Sequence, residues 1–142
     1  MTPLARALAT GRSGVFRISA GEAGRLGAGA GRGAGALHRI DLSGAAGKDG
    51  LLGALARGLR FPDWFGGNWD ALQDALCDLS WLGEERPVVL LVEGAGASRV
   101  AGEELDTLLE VLRSAARYWE GQGRPFLVLF AGRGPAGVAA LR

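Results

Sequence analysis

Two stretches of this chain limit its architecture more than any other feature. Residues 87–92 (PVVLLV) and 125–131 (PFLVLFA) are continuously apolar and rich in β-branched or aromatic side chains. A strand with one wet face alternates polar and apolar residues, so an unbroken run of this length reads as a strand buried on both faces. Between them, Leu105, Leu108, Leu109, Leu112, Ala116 and Trp119 recur at i, i+3, i+4, i+7, i+11 and i+14, the apolar stripe of an amphipathic helix over 103–120. Two buried strands joined by a helix imply a parallel pair with a right-handed crossover.

The pattern extends toward the N-terminus. Residues 37–42 (LHRIDL) read as a strand with Leu37, Arg39 and Asp41 on one face and His38, Ile40 and Leu42 on the other. After a Gly-rich turn, Asp49 is a candidate cap for a helix to about residue 59, with Leu51, Leu52, Leu55 and Leu59 on one stripe. Pro62 ends it. Asn68 is a candidate N-cap for a second helix, from 69 to about 79. The order strand, helix, helix, strand, helix, strand predicts an α/β domain over 37–131, a small three-stranded parallel sheet packed by helices. Residues 1–36 read as an N-terminal extension. Its stretch 27–36 (GAGAGRGAGA) is low-complexity linker, and Val15-Phe16-Arg17-Ile18 is a candidate strand added at a sheet edge. Residues 132–142 read as a loose tail.

With 142 residues the chain has room for one core. One cysteine, Cys77, rules out an intramolecular disulfide and suits a reducing compartment. No apolar run reaches the roughly 18 residues of a membrane helix, and residues 1–14 lack the apolar segment of a secretory signal. The expected location is cytoplasmic. The net charge of +1 hides a strong asymmetry. Residues 1–36 carry five arginines against Glu22, whereas 61–85 carry six acids (Asp63, Asp70, Asp74, Asp78, Glu84, Glu85) and no Lys or Arg.

That acidic stretch holds the feature with functional content. In the helix from 69, Trp69, Leu72, Leu76 and Leu79 fall on a buried stripe, and Asp70, Asp74 and Asp78 fall at i, i+4 and i+8 on another. Like charges four apart destabilise a helix by a few tenths of a kcal/mol per pair, aspartate is a weak helix former, and no basic residue lies near in sequence. Most charge stripes are merely solvated faces. Here the stripe adjoins an aromatic turn, Trp64-Phe65, and a flexible Gly66-Gly67, and aromatic anchors flanked by charge are common in protein interfaces. One of the two aromatics, Phe65, is expected to plug the core.

The run Phe61-Pro62-Asp63-Trp64-Phe65-Gly66-Gly67-Asn68-Trp69-Asp70-Ala71-Leu72-Gln73-Asp74 resembles the signature of the barstar family, with Pro62, Gly66, Asn68, Asp70, Ala71, Leu72 and Asp74 in register. The resemblance covers about 37–131. It implies a stoichiometric protein inhibitor of a bacterial ribonuclease, an immunity- or antitoxin-like partner without catalysis of its own, which plugs a basic active site with an acidic helix and the loop before it. By position, it implies that Asp74 mimics a phosphate, Asp70 pairs with a flanking cation, Trp64 stacks at the rim, and Gly66 and Asn68 shape the loop; Gln73, and Asp78 from the acidic stripe, complete the expected partner-binding set. Three positions depart from the family pattern: Gln73 stands where the pattern has Trp, Ser114 where a later helix has an acid, and Gly67 where there is an acid between the Gly and the Asn. Glu110 and Glu120 lie near enough in sequence to replace the acid missing at Ser114. The alternative is an interaction module on the same fold that binds another basic partner without inhibiting it.

Other chemistry has little support. His38, the lone histidine, reads as a satisfied structural residue, and Cys77 as a small buried hydrophobe. No cluster has metal-ligand spacing, and no cofactor is expected. The sequence 132–137 (GRGPAG) matches GxGxxG after a strand, but too few residues follow to form the helix that receives a pyrophosphate. The spaced arginines of 1–36 are weak grounds for nucleic-acid contact. No membrane or nucleic-acid partner is expected, and the free chain is read as a monomer.

Overall fold

The structure, a computed structural model, describes residues 2–28, 36–83 and 87–142. Most of the low-complexity stretch, and Glu84 and Glu85 of the acidic segment, lie outside these residues. In chain order the main elements are α1 (Pro3–Ala9), β1 (Gly14–Ile18), α2 (Ala20–Ala28), β2 (Ala36–Asp41), α3 (Gly47–Leu59), α4 (Trp69–Leu76), β3 (Val88–Glu93), α5 (Gly102–Gly121) and β4 (Phe126–Ala131).

The strands form one parallel sheet in the order β1-β4-β3-β2. The expected fold class holds, with one correction: the sheet has four strands, not three, the fourth being the candidate edge strand at 15–18. β1 runs beside β4 from Gly14 opposite Leu127 to Ile18 opposite Ala131. The parallel β3–β4 pair inferred from the two apolar runs is present, with Val88 opposite Phe126 and Val92 opposite Phe130.

Both central strands are buried on both sides, which is why neither alternates. On one side of the sheet, here the front, Ile40, Leu42, Val88, Leu90, Val92, Phe126, Val128 and Phe130 join the buried leucines of α3, α4 and α5 in one core. On the back, Val89, Leu91, Leu127 and Leu129 pack with Leu4, Ala7 and Leu8 of α1, Ala23 and Leu26 of α2, and Leu141. The back cover therefore comes from segments read as an extension and a tail. Pro135, Val138 and Leu141 are buried. The backbone of Arg17 in β1 donates to Ala139 and accepts from Leu141, so residues 139–141 run along the outer edge of β1 rather than hanging loose. Such pairing covers an edge that would otherwise invite aggregation.

Helix ends follow local chemistry, with two departures from expectation. α3 starts two residues before Asp49: Ala46 is its N-cap without a side-chain bond, and Asp49 sits in the first turn, where the helix dipole favours an anion. α3 ends with Arg60 in the left-handed region, φ 54°, and Phe61 N–H closing onto Ala56 O at 2.9 Å, the Schellman arrangement. α4 ends at Leu76, short of residue 79. Leu79 still enters the core at 0% exposure, but through a left-handed turn, φ 51°, that leads into a short 3-10 turn at Ser80–Leu82.

Candidate functional site

The loop before α4 is built on aromatic rings. Phe61 meets Phe65 edge-on at 4.7 Å and Trp81 at 5.7 Å, and Trp81 meets Trp64 at 5.8 Å. The indole N–H of Trp81 donates to Leu59 O at 2.9 Å, fixing the set to the end of α3. Phe61, Phe65 and Trp81 are half-buried against the front core, as expected for Phe65. Trp64 is left 57% exposed on this rigid backing.

The turn into α4 uses two residues in different ways. Gly67 has φ +70°, a conformation that costs other residues about 1–2 kcal/mol, whereas Gly66 needs no such freedom. The sequence points to both glycines and the family resemblance to Gly66; the positive-φ requirement falls on Gly67. Asn68 caps the helix as expected, its Oδ1 accepting from Ala71 N–H at 2.7 Å. That side-chain oxygen is occupied in shaping the helix start.

α4 buries Leu72, Ala75 and Leu76 and half-buries Trp69. Asp70 and Asp74 project from the opposite side and are exposed. Among the described residues neither forms an ion pair; the one salt bridge there joins Arg39 and Glu93 at 2.7 Å, on other elements. Asp70 lies in the first turn, where the helix dipole stabilises its charge, while Asp74 lies beyond that help. Asp78 is not part of the stripe, because the helix stops before it. It is exposed in the following turn and accepts from Ser80 Oγ at 3.1 Å.

Gln73 does not reach outward. Its Nε2 donates to Ser114 Oγ on α5 at 3.1 Å and to Cys77 Sγ at 3.2 Å. Gln73 and Ser114, forty-one residues apart, thus pair with each other across the α4–α5 seam. Glu110 is exposed one turn before Ser114. Glu120 is on the other flank of α5, lining a cavity of about 190 Å³ with Ser13, Arg113 and Arg117 toward β1. Of the two acids, only Glu110 lies beside the Gln73–Ser114 seam.

Cys77 is the C-cap of α4 and half-buried against the front core. Burial pushes its thiol pKa up; the bond from Gln73 opposes this and the Asp74 charge adds to it. This is the opposite of an activated nucleophile. His38 departs from expectation. Its Nε2 is buried with no hydrogen-bond partner among the described residues. Burial first, then the charges of Arg60 and Arg124, hold the imidazole below its ordinary 6.5. Both causes disfavour the cation, so the neutral ring is the tolerated form.

Gly132 N–H is taken up by Ile18 O, and no helix follows residues 132–137, so a pyrophosphate cradle is not formed there. Among the described residues no three His, Cys, Asp or Glu side chains converge on a metal-sized site, and no helix is long and apolar enough to cross a membrane. What α4 and its loop offer is a convex ridge of two carboxylates beside a fixed exposed indole. Carboxylates held on a helix suit guanidinium and ammonium groups, bidentately where arginine is the partner.

None of the curated proteins compared with the chain matches it. A family model described as barstar (barnase inhibitor) matches residues 36–131, from the start of β2 to the end of β4. That span takes in α3, α4, α5 and three of the four strands, and it is well over half of the 142 residues; the chain belongs to the barstar family.

Proposed function

We propose that this protein is a stoichiometric inhibitor of a bacterial ribonuclease, and that α4 with its preceding loop occludes the enzyme's basic active site. The observation that carries the reading is the exposed Asp70–Asp74 pair, with no ion pair of its own among the described residues, in a chain whose family is described as inhibiting barnase. A fold optimising stability alone would have set cations beside these acids. Leaving them unpaired costs a few tenths of a kcal/mol and preserves them for a partner.

In this reading Asp74 occupies the place of an RNA phosphate and Asp70 meets a flanking cation. Trp64 packs at the rim, and Gly66 and Asn68 set the loop's path. Asp78 contributes at the margin, and Gln73 acts by holding α5 against α4. The opposite charges speed encounter, an effect that fades with salt. The chain acts as a monomer, in the cytoplasm of the cell that makes the nuclease.

The Gln73–Ser114 bond favours a second reading, in which the same ridge binds a different basic protein without inhibiting any nuclease. Titrating the protein into barnase while RNA cleavage is followed separates the two. Inhibition is expected to grow linearly and end at one protein per enzyme. Undiminished cleavage at a large excess of the protein would contradict the inhibitor reading.

A further inference from the structure

Among the described residues only two large hydrophobic side chains are exposed, Trp64 at 57% and Tyr118 at 43%. They are mounted in the same way. Trp64 rests edge-on against Trp81, whose indole N–H is fixed on Leu59 O. Tyr118 rests edge-on against Trp119, with ring centres 5.0 Å apart and planes at 80°. The Trp119 N–H is fixed on Leu76 O, the last residue of α4, at 2.7 Å, and Arg124 lies over its ring at 5.2 Å. An exposed ring on such a backing has lost most of its mobility before any partner arrives, so little entropy remains to be lost on contact.

The two rings lie on opposite flanks of α4. At 100° per residue, Ala71 and Gln73 stand on either side of the Asp70–Asp74 ridge. The loop carrying Trp64 borders the Ala71 flank, where a Cβ on Gly66 would sit 3.4 Å from Ala71 Cβ. α5 borders the Gln73 flank. Gln73 meets Ser114 and Leu76 meets Trp119, so the two helices run in the same direction there. Tyr118 is one turn beyond Ser114 on the α4-facing side, about 6 Å farther along, level with the last turn of α4.

We infer that Tyr118 is a second aromatic anchor for the basic partner of α4, and that the interface spans the seam from Trp64 across the Asp70–Asp74 ridge to α5. This rests on the ribonuclease-inhibitor reading above. The partner surface is a cationic groove flanked on both sides by shoulders that accept a flat ring. Tyrosine suits such a rim, with an apolar face for packing and a hydroxyl for water.

Calorimetric titration of barnase with the wild type and with Tyr118→Ala, Tyr118→Phe and Asp74→Ala, together with urea unfolding of each free protein, tests the inference. Tyr118→Ala is expected to weaken binding at least tenfold, with an unfolding midpoint lowered by much less than that loss, since only the edge-on contact with Trp119 goes. Tyr118→Phe, which keeps the ring, is expected to stay within threefold of the wild type. If Asp74→Ala weakens binding but Tyr118→Ala stays within twofold, the inference is overturned and the inhibitor reading stands. If Tyr118→Ala lowers the unfolding midpoint in proportion to its binding loss, the ring is structural and the inference is likewise overturned. If the wild type does not bind barnase, the inhibitor reading fails and this inference fails with it.

Discussion

The two faces of the sheet are covered by different parts of the chain and serve different ends. The front is covered by α3, α4 and α5, all within the family match at 36–131, and it ends in an exposed acidic ridge. The back is covered by α1, α2 and Leu141, all outside that match, and it encloses Val89, Leu91, Leu127 and Leu129. The front spends some helix stability on unpaired carboxylates. The back adds buried apolar surface and completes the sheet with β1. A strand sealed on both sides also gives α5, and through it α4, a rigid floor, and rigid mounting is what lets a helix present charge without losing entropy on binding.

The strongest way to break this comparison is to remove the back cover. A chain lacking residues 1–28 exposes the four back-face side chains, worth about 1.5–3 kcal/mol each, and uncovers the edge of β4. That loss is comparable with the whole net stability of a domain, about 5–15 kcal/mol. We expect no cooperative unfolding transition and association on a sizing column. A monomer that unfolds at the wild-type midpoint would show that the extension is dispensable.

A smaller effect sharpens the comparison at β2. His38 is held below its ordinary 6.5 in the folded chain, so the unfolded chain takes up the proton first. Its contribution to stability is complete above about pH 6.5 and is lost progressively as pH falls below that value toward the lowered folded-state pKa. Asp41, lowered by its two bonds from Ser43, acts only below the ordinary carboxylate value of 3.8. Urea midpoints measured from pH 7.5 to 5 should therefore fall, and His38→Leu should flatten the slope. An unaltered slope in the variant would assign the acid sensitivity elsewhere.

The front of the molecule was largely legible in the sequence, for physical reasons. β3, α5 and β4 announce themselves because burial on two faces and a 3.6-residue stripe leave strong patterns over many residues. Asn68 was legible because an N-cap is a local event. The back was not. α1 and α2 are short and rich in Ala, Gly and Arg, so their apolar faces reduce to Leu4, Ala7, Leu8, Ala23 and Leu26, too few to stand out from composition. The final stretch contributes only Leu141 to the back core, and its pairing with Arg17 joins residues more than 120 apart. Within the site, Asp78 was misplaced because α4 stops where Leu79 turns left-handed to reach the core, a tertiary demand with no local signal. The Gln73–Ser114 bond and the seating of Tyr118 on Trp119 depend on how α4 meets α5, which neither helix encodes alone.

The central claim is that Asp70 and Asp74 serve a partner and not the fold. The direct measurement is the Asp70→Asn/Asp74→Asn double variant, assayed for inhibition of barnase and, in parallel, for urea unfolding. Removing the like-charge repulsion returns a few tenths of a kcal/mol, while losing the Asp70 charge at the N-terminus of α4 costs about 0.3–1 kcal/mol, so the unfolding free energy should change by less than about 1 kcal/mol. Loss of two charge-assisted contacts, about 1.5–3 kcal/mol each, should weaken inhibition at least a hundredfold. Intact inhibition, or a loss of stability equal to the loss of inhibition, would contradict the account.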